Sequence, residues 1–488
     1  MSIKFGTDGW RAVIADEYTF ENVKVCSNAL SDYLLDKNRK KLEIYKNYKG
    51  SSFKNIYQDA SKGIVIGYDA RFLSGSFAKT TADILSSYNI PVYLSDKIAP
   101  TPAISWFLKK NKCAGGVVIT ASHNPPEYNG FKFKAEYGGS GLPQIMCGIE
   151  KKINYKKSTD RKPDYNKIKS SDLITPYINQ LKNFVDLTKI SKLKIKVVVD
   201  CMYGATTGLF EKLFKNSKNV KIISIRDTYN PGFDGINPEP LDKNLVPLKE
   251  AVIKNKADIG FAFDGDGDRI GAYDKHGNFL SSHHIFLILL HHLVKNRGMK
   301  GKIVKTFSTT EKVRLLAEEL KLGFIETPIG FKYICDLMLK DNVLIGGEES
   351  GGIGIKGHMP ERDALACALL MLEAVSCEKS GIHTIMNNIY KKVGEFAYER
   401  VDLKLKSFKS KDKIINKLKN NPPKVFCGIK IESVKTLDGV KYLFKDNSWI
   451  LFRPSGTEPL LRIYAETKNR KKSLQLLDEA VKSVKKEE

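Results

Sequence analysis

Residues 120–134 read TASHNPPEYNGFKFK, and the rest of the chain is interpreted outward from them. The run before them, Ala114-Gly-Gly-Val-Val-Ile, is short and apolar and reads as a buried strand, which places Ser122 in a loop at a strand end. Pro125 and Pro126 each fix a φ angle and keep a helix from starting there, so the loop is stiff. His123 adjoins the serine, and Lys132 and Lys134 follow within reach of a charged group held on it. A hydroxyl among cations suits a phosphoryl group, because charge-assisted hydrogen bonds to phosphoryl oxygens are stronger than neutral ones. Ser, Asn and Pro also build ordinary turns, so support has to come from elsewhere in the chain.

Upstream, Phe5-Gly-Thr-Asp-Gly-Trp-Arg11 forms a glycine-flanked polar turn, and residues 20–35 carry apolar side chains at helical spacing. Residues 37–62 change to Lys, Asn, Tyr and Ser without periodicity and read as an insertion. Three compact β-branched runs then recur, Gly63-IVIGYDAR, Lys194-IKVVVDCMYG and Lys302-IVKTFSTT, each ending in a polar turn followed by a helix-like segment. That pattern predicts three successive α/β domains, each with a buried sheet.

The second of these units leads to Asp264-Gly-Asp-Gly-Asp-Arg269, between an apolar run (257–263) and Ile270-GAYD, which continues through His276-Gly277 as a hairpin. Three carboxylates this close repel one another unless a cation joins them, and hard oxygen ligands suit Mg²⁺. An EF-hand is excluded: its sixth and twelfth positions require Gly and Glu, and the chain has Arg269 and Lys275. The stretch Ser282-His-His-Ile-Phe-Leu-Ile-Leu-Leu-His-His reads as a buried helix with polar ends rather than a metal clip.

The third unit offers Thr327-Pro-Ile-Gly-Phe-Lys332, a tight turn ending in a cation, and then Gly346-Gly-Glu-Glu-Ser-Gly-Gly352. Glu and Ser together satisfy sugar hydroxyls, which both donate and accept. Beyond a helix at 362–378, short strands at 401–405, 429–434, 441–444 and 449–452, a hairpin turn at Asp438-Gly439 and an amphipathic C-terminal helix define a separate α+β domain. Within it, Arg453-Pro-Ser-Gly-Thr-Glu-Pro459 brings a guanidinium, two hydroxyls and loop amides together as a phosphate site.

Serine loop, aspartate loop, Glu-x-Ser loop and phosphate loop, in this order, resemble the α-D-phosphohexomutase family of phosphoglucomutases and phosphomannomutases. The resemblance implies an α/β fold: three successive α/β domains with a shared mixed-sheet core plus a C-terminal α+β domain, arranged around a central cleft. The boundaries drawn here are 1–157, 158–274, 275–390 and 391–488. It implies that Ser122 carries the transferred phosphoryl group and shares one Mg²⁺ with Asp264, Asp266 and Asp268, while Arg269, Arg11, His123 and Lys132 hold that phosphate. Thr327, Gly330, Glu348 and Ser350 are assigned to the substrate, and Arg453, Ser455, Gly456, Thr457 and Arg462 to its non-reacting phosphate. Some bacterial members have a histidine directly after Ser-Gly, where this chain has Gly352. Lys332, and after it His358 in Gly357-His-Met-Pro-Glu-Arg362, are therefore expected as the acid/base.

The implied activity is interconversion of hexose 1-phosphate and hexose 6-phosphate, of glucose or mannose, through a bisphosphorylated hexose that also acts as activator. Phosphoglucosamine mutase and phosphopentomutase chemistry are the alternatives within the superfamily. The formal net charge of +25 raises a nucleic-acid-binding protein as an alternative of another class. The lysines are spread along the chain, densest at 38–62, 151–169 and 404–424, and form no nucleic-acid motif. A lysine-rich solvated surface accounts for them, and hexose phosphate remains the expected partner. Hydrophobic residues at 42% suit a packed globular chain. No apolar run is long enough to span a bilayer, and MSIKFGTDGW lacks the pattern of a secretory signal. The eight cysteines contain no C-x-x-C pair and read as free thiols in a reducing cytoplasm.

Overall fold

The three β-branched runs are strands in the computed structural model of the chain, which describes residues 3–6, 8–42, 44, 56–156, 161–456 and 458–487. They span Ile64–Tyr68, Ile195–Asp200 and Lys302–Thr306, and a helix follows each: Ser74–Ser87, Leu209–Phe214 and Lys312–Glu319. The helix at Phe20–Leu35 forms as its spacing indicates and starts on a Thr19 cap, whose hydroxyl accepts from the Asn22 N–H. Much of the 37–62 insertion lies outside the described residues. Arg39 at its start makes a buried ion pair with Glu136.

The chain divides into two compact units, one of Met1–Ile303 with Gly330–Ile385, the other of Val304–Ile329 with Met386–Glu488. The first unit holds two mixed sheets. One runs in the order Trp10–Val13, Tyr128–Lys134, Gly115–Ile119, Ile64–Tyr68, Val92–Ser95, Ile168–Ser171. Its last four strands are parallel and its first three antiparallel. The other sheet runs Phe279–Leu280, Ile270–Asp274, Ile259–Phe263, Ile195–Asp200, Val220–Ile225. The central strands Gly115–Ile119 and Ile259–Phe263 are buried along their whole length, as strands covered on both faces must be. Their carboxyl ends deliver Ser122 and Asp264, where open α/β sheets place ligands.

In the second unit six antiparallel strands run Ala397–Lys404, Leu460–Thr467, Trp449–Pro454, Val440–Phe444, Ile429–Lys435, Val425–Phe426. Alternation sorts the faces. Ile450, Phe452, Ile463 and Ala465 pack with Leu476, Leu477 and Ala480 of the helix Arg470–Glu487. Trp449, Leu451 and Tyr464 point the other way, onto Phe307. Beside them Lys305 and Lys441 are buried against Glu311 and Glu326. The strand Leu460–Thr467 and the helix Phe408–Asn420 complete this domain beyond the elements the sequence pattern marked. All eight cysteines are free thiols. Among the described residues no helix is long and apolar enough to cross a membrane.

Candidate active site

Ser122 follows the strand Gly115–Ile119 with a φ of +54°, in the left-handed region that few non-glycine residues occupy. Arg71 holds it there. Its guanidinium donates to the carbonyls of Ser122 (2.8 Å), Asn124 (2.6 Å), Pro125 (2.7 Å) and Tyr128 (2.9 Å), and Asp69 pairs with its Nε at 3.3 Å. The stiffness read from the two prolines is thus reinforced by a buried arginine that binds the loop backbone and Asp69 and lies over the Phe233 ring at 5.1 Å. The Ser122 N–H donates to Thr120 Oγ1 (2.8 Å), whose hydroxyl in turn donates to Asp69.

The Ser122 hydroxyl donates to Asp264 Oδ2 at 2.7 Å and stands 3.3 Å from His123 Nδ1. Asp264 Oδ1 accepts the backbone N–H groups of Asp268 and Arg269, which curls the loop back on itself. Asp264, Asp266 and Asp268 are fully buried and present oxygens within 4.8 Å of one another. Burial, with Asp266 and Asp268 as like-charged neighbours, pushes the Asp264 carboxyl well above its usual range. Burial would do the same to Asp266, but Lys132 at 2.8 Å and the Thr101 hydroxyl at 2.6 Å carry it below. Asp266 Oδ1 and Asp268 Oδ1 are buried and accept no hydrogen bond. Buried carboxylate oxygens left over in this way fit a hard divalent cation.

Cations surround the serine. Arg11 donates to Asn124 Oδ1 (2.6 Å), and Arg269 lies 3.9 Å from both Asp264 and Asp268. Burial first, then Arg269, Arg11, Lys132 and Arg71, depress the His123 pKa well below its usual value, so its ring is neutral at physiological pH. Lys132 also contacts Asp8 (3.2 Å), and Lys134 binds Asp8 (3.2 Å) and Glu361 (2.7 Å). Lys134 is thus saturated by carboxylates beneath the site.

Arg362 was not among the residues the sequence singled out, although it closes the quoted Gly357-to-Arg362 motif. Its guanidinium reaches Asp268 (2.7 Å), Asp8 (2.8 Å), Glu361 (3.4 Å) and Glu348 (3.8 Å), tying the Glu-x-Ser loop to the aspartate loop. A Cβ at Gly352 would lie 2.1 Å from Arg362 Cδ, so the arginine fills the space a side chain there would need. The two loops also pair directly, through a bridge between Arg269 and Gly352. Burial, with Glu349 and Asp268 adding and Arg362 opposing, raises the Glu348 carboxyl to about 7. Ser350 lies half-buried in the same turn.

His358, expected after Lys332 as acid/base, is buried. Its Nε2 is 2.7 Å from Asp363, its Nδ1 is 3.3 Å from Gln180, and its ring stacks on Phe184 and Trp106 with centroids at 4.8 and 6.0 Å. Both nitrogens are thus within reach of polar partners inside the protein. Lys332, at the start of the helix Phe331–Lys340, has its ammonium 5.3 Å from the Tyr333 ring and takes no part in the described ion pairs around Ser122. Gly330 before it has φ +133°, a conformation that calls for glycine.

The remaining assigned residues belong to the second unit. There Asp438 accepts from the Ile329 N–H (2.9 Å) and from Arg453 Nε (3.3 Å), which brings the turn of Thr327 up to Arg453. The Ser455 carbonyl accepts from Lys411, Gly456 is exposed, and Arg462 lies 3.9 Å from Asp402. Thr457 lies outside the described residues.

Four family models cover this geometry in order: phosphoglucomutase/phosphomannomutase α/β/α domain I over residues 2–160, domain II over 175–277, domain III over 281–393 and the C-terminal domain over 403–483. The chain belongs to the phosphoglucomutase/phosphomannomutase family. Members of this α-D-phosphohexomutase family are intramolecular phosphotransferases, and the chain is an isomerase of that type. It is 32% identical over 425 residues to a phosphoglucomutase/phosphomannomutase of Thermococcus kodakarensis, covering 86% of this chain and 89% of the relative. It is 31% identical to a phosphoglucosamine mutase of Carboxydothermus hydrogenoformans, covering 99% of each. A solved structure from Thermus thermophilus, provisionally named a phosphomannomutase, superposes with a TM-score of 0.85 at 32% identity, over 99% of this chain and 100% of that one.

Proposed function

We propose that the protein interconverts hexose 1-phosphate and hexose 6-phosphate, of glucose or mannose, through phosphorylated Ser122 and a bisphosphorylated hexose. The observation that carries this reading is the 2.7 Å hydrogen bond from the Ser122 hydroxyl into a buried aspartate triad in which Asp266 and Asp268 keep oxygens that accept no hydrogen bond. A hydrolytic serine needs a neighbouring base, whereas here His123 is embedded among cations and Ser122 points at carboxylates. Asp264, Asp266 and Asp268 would hold Mg²⁺, which offsets negative charge on a phosphoryl group in transfer. Arg11, Arg269 and Lys132 orient the phosphoryl oxygens by charge-assisted hydrogen bonds. Glu348 and Ser350 receive the sugar hydroxyls. Lys332 accepts the proton of the attacking hydroxyl, and a Lys332→Ala enzyme with near-normal turnover would remove it from that role. Arg453, Ser455 and Gly456 hold the phosphate that is not reacting, a site that a simple phosphatase would not require.

Glucosamine 1-phosphate is the competing substrate, because the relative from Carboxydothermus hydrogenoformans bears the phosphoglucosamine mutase name over the full length. The deciding assay is a panel of glucose, mannose, glucosamine and ribose 1-phosphates with Mg²⁺ and a bisphosphorylated hexose activator. Glucose or mannose should give the highest kcat/KM. Ser122→Ala should abolish turnover, and active enzyme whose intact mass carries no phosphoryl group at any point in the cycle would refute the mechanism.

A further inference from the structure

Asp8 stands in the turn before the strand Trp10–Val13, among the cations of the site, and is not one of the three aspartates grouped to ligate an ion. Alternation along Tyr128–Lys134 puts Lys132 and Lys134 on one face of that strand, and both reach this turn. The turn lies close on the strand: a Cβ on Gly9, at φ +108°, would stand 2.8 Å from Lys132 Cα. Asp8 Oδ1 accepts from Lys134 and from the Ser140 hydroxyl, both at 3.2 Å. Its Oδ2 holds Arg362 Nη2 at 2.8 Å and Lys132 Nζ at 3.2 Å. The same two nitrogens reach the triad. Arg362 Nη2 is 2.7 Å from Asp268 Oδ2, and Lys132 Nζ is 2.8 Å from Asp266 Oδ2 and 3.6 Å from Asp268 Oδ2. We propose that Asp8 is a positioning residue for the divalent ion: by holding Lys132 and Arg362 against the Oδ2 atoms of Asp266 and Asp268, it leaves their Oδ1 atoms to the metal. The inference rests on the reading of the aspartate triad as the metal site.

Asp8 itself has no oxygen to offer an ion. A carboxylate has about four lone-pair sites, and Lys134, Ser140, Arg362 and Lys132 take those of Asp8. Asp266 Oδ1 and Asp268 Oδ1, by contrast, accept no hydrogen bond. The carboxylates are therefore sorted by their partners into one that grips cations and two that keep an oxygen apiece. Charge points the same way. Lys132 and Arg362 are buried, and buried cations beside a divalent ion oppose its binding unless a further anion offsets them. Asp8 is that anion, anchored on its other oxygen by Lys134 and Ser140 so that the arrangement is set before any ion arrives. Without its charge, Lys132 and Arg362 would be drawn further onto Asp266 and Asp268, in competition with the metal.

The test is Mn²⁺ binding to the full-length, metal-stripped protein, with free Mn²⁺ measured by electron paramagnetic resonance; Mn²⁺ takes the same oxygen ligands as Mg²⁺. The wild type should bind one Mn²⁺ per chain, and Asp266→Asn should lose that event. Asp8→Asn should bind about 10- to 100-fold more weakly, the loss typical when a group that orients metal-ligating carboxylates is removed. Asp8→Glu, which keeps the charge, should recover part of it. Melts in EDTA establish that each variant is folded at the binding temperature, and a fixed Mn²⁺ concentration should raise Tm more in the wild type than in Asp8→Asn. Unchanged Mn²⁺ affinity in folded Asp8→Asn would overturn the inference and leave the metal reading standing. Absence of Mn²⁺ binding by the wild type would overturn both. If Asp8→Asn does not fold, Ser140→Ala takes its place, because it removes one anchor of Asp8 without unpairing a charge. It should weaken Mn²⁺ binding to a smaller extent, and unchanged affinity there would overturn the inference.

Discussion

The backbone of Gly265 lies against the carbonyl of Ser122 so closely that a Cβ on the glycine would stand 2.5 Å from that oxygen. The aspartate loop and the serine loop therefore meet main chain to main chain, and only glycine permits it. Gly265→Ala should push the loops apart by a fraction of an ångström to about an ångström, enough to cost about 100-fold in turnover. Overpacking of this kind costs about 1–3 kcal/mol of stability, so the fold should survive. Steady-state kinetics beside a thermal melt separates the two effects.

Arg71 makes four hydrogen bonds to carbonyls of the serine loop and pairs with Asp69. Arg71→Met leaves those acceptors and a buried carboxylate without a donor, and should destabilise the protein by about 3–5 kcal/mol. Arg71→Lys should rescue little of this, because one ammonium cannot span four carbonyls in a planar fan. Urea unfolding midpoints of the three proteins check both statements.

Burial raises the Glu348 carboxyl to about 7 in the folded protein, from an ordinary value of 4.5. Below the unfolded value both states are protonated and nothing is lost. Between 4.5 and 7 the unfolded chain releases its proton first, so stability falls as pH rises and levels off above the folded value. The full effect is about 3 kcal/mol. Glu348→Gln should therefore melt with the wild type at pH 4, melt above it at pH 8, and lose sugar turnover at both.

Gly352 and Arg362 occupy one space between them, with the would-be Cβ 2.1 Å from the arginine Cδ. Gly352→Ala should displace the guanidinium from Asp268 and Asp8 and lower kcat at least tenfold. Arg362→Met should do the same. If the glycine acts through the arginine, the double variant is no slower than the slower single one, and a double-variant cycle measures that coupling. Additive losses would mean that the two act separately.

What the sequence made legible was whatever local chemistry dictates. The strand before Ser122, the three β-turn-α units, the Asp264-to-Arg269 turn and the helix at 20–35 each follow from a pattern within a dozen residues, and each stands in the structure. The failures have a common cause, namely partners far apart in sequence. Arg362 meets Asp8 across 354 residues, and nothing in either local stretch announces the other. The partners of His358, namely Asp363, Gln180 and Phe184, were likewise not legible around it, apart from Asp363 five residues on. The strand Leu460–Thr467 follows directly on the Pro- and Gly-containing turn 453–459, whose local pattern is that of a turn.

The left-handed backbone at Ser122 also constrains which residue can occupy that position. Threonine offers the same hydroxyl and forms phosphoesters as readily, yet its branched β-carbon is strongly disfavoured at φ near +54°. On the proposed function, conformation therefore disfavours threonine as the carrier before chemistry is considered, even though it would preserve the reacting group.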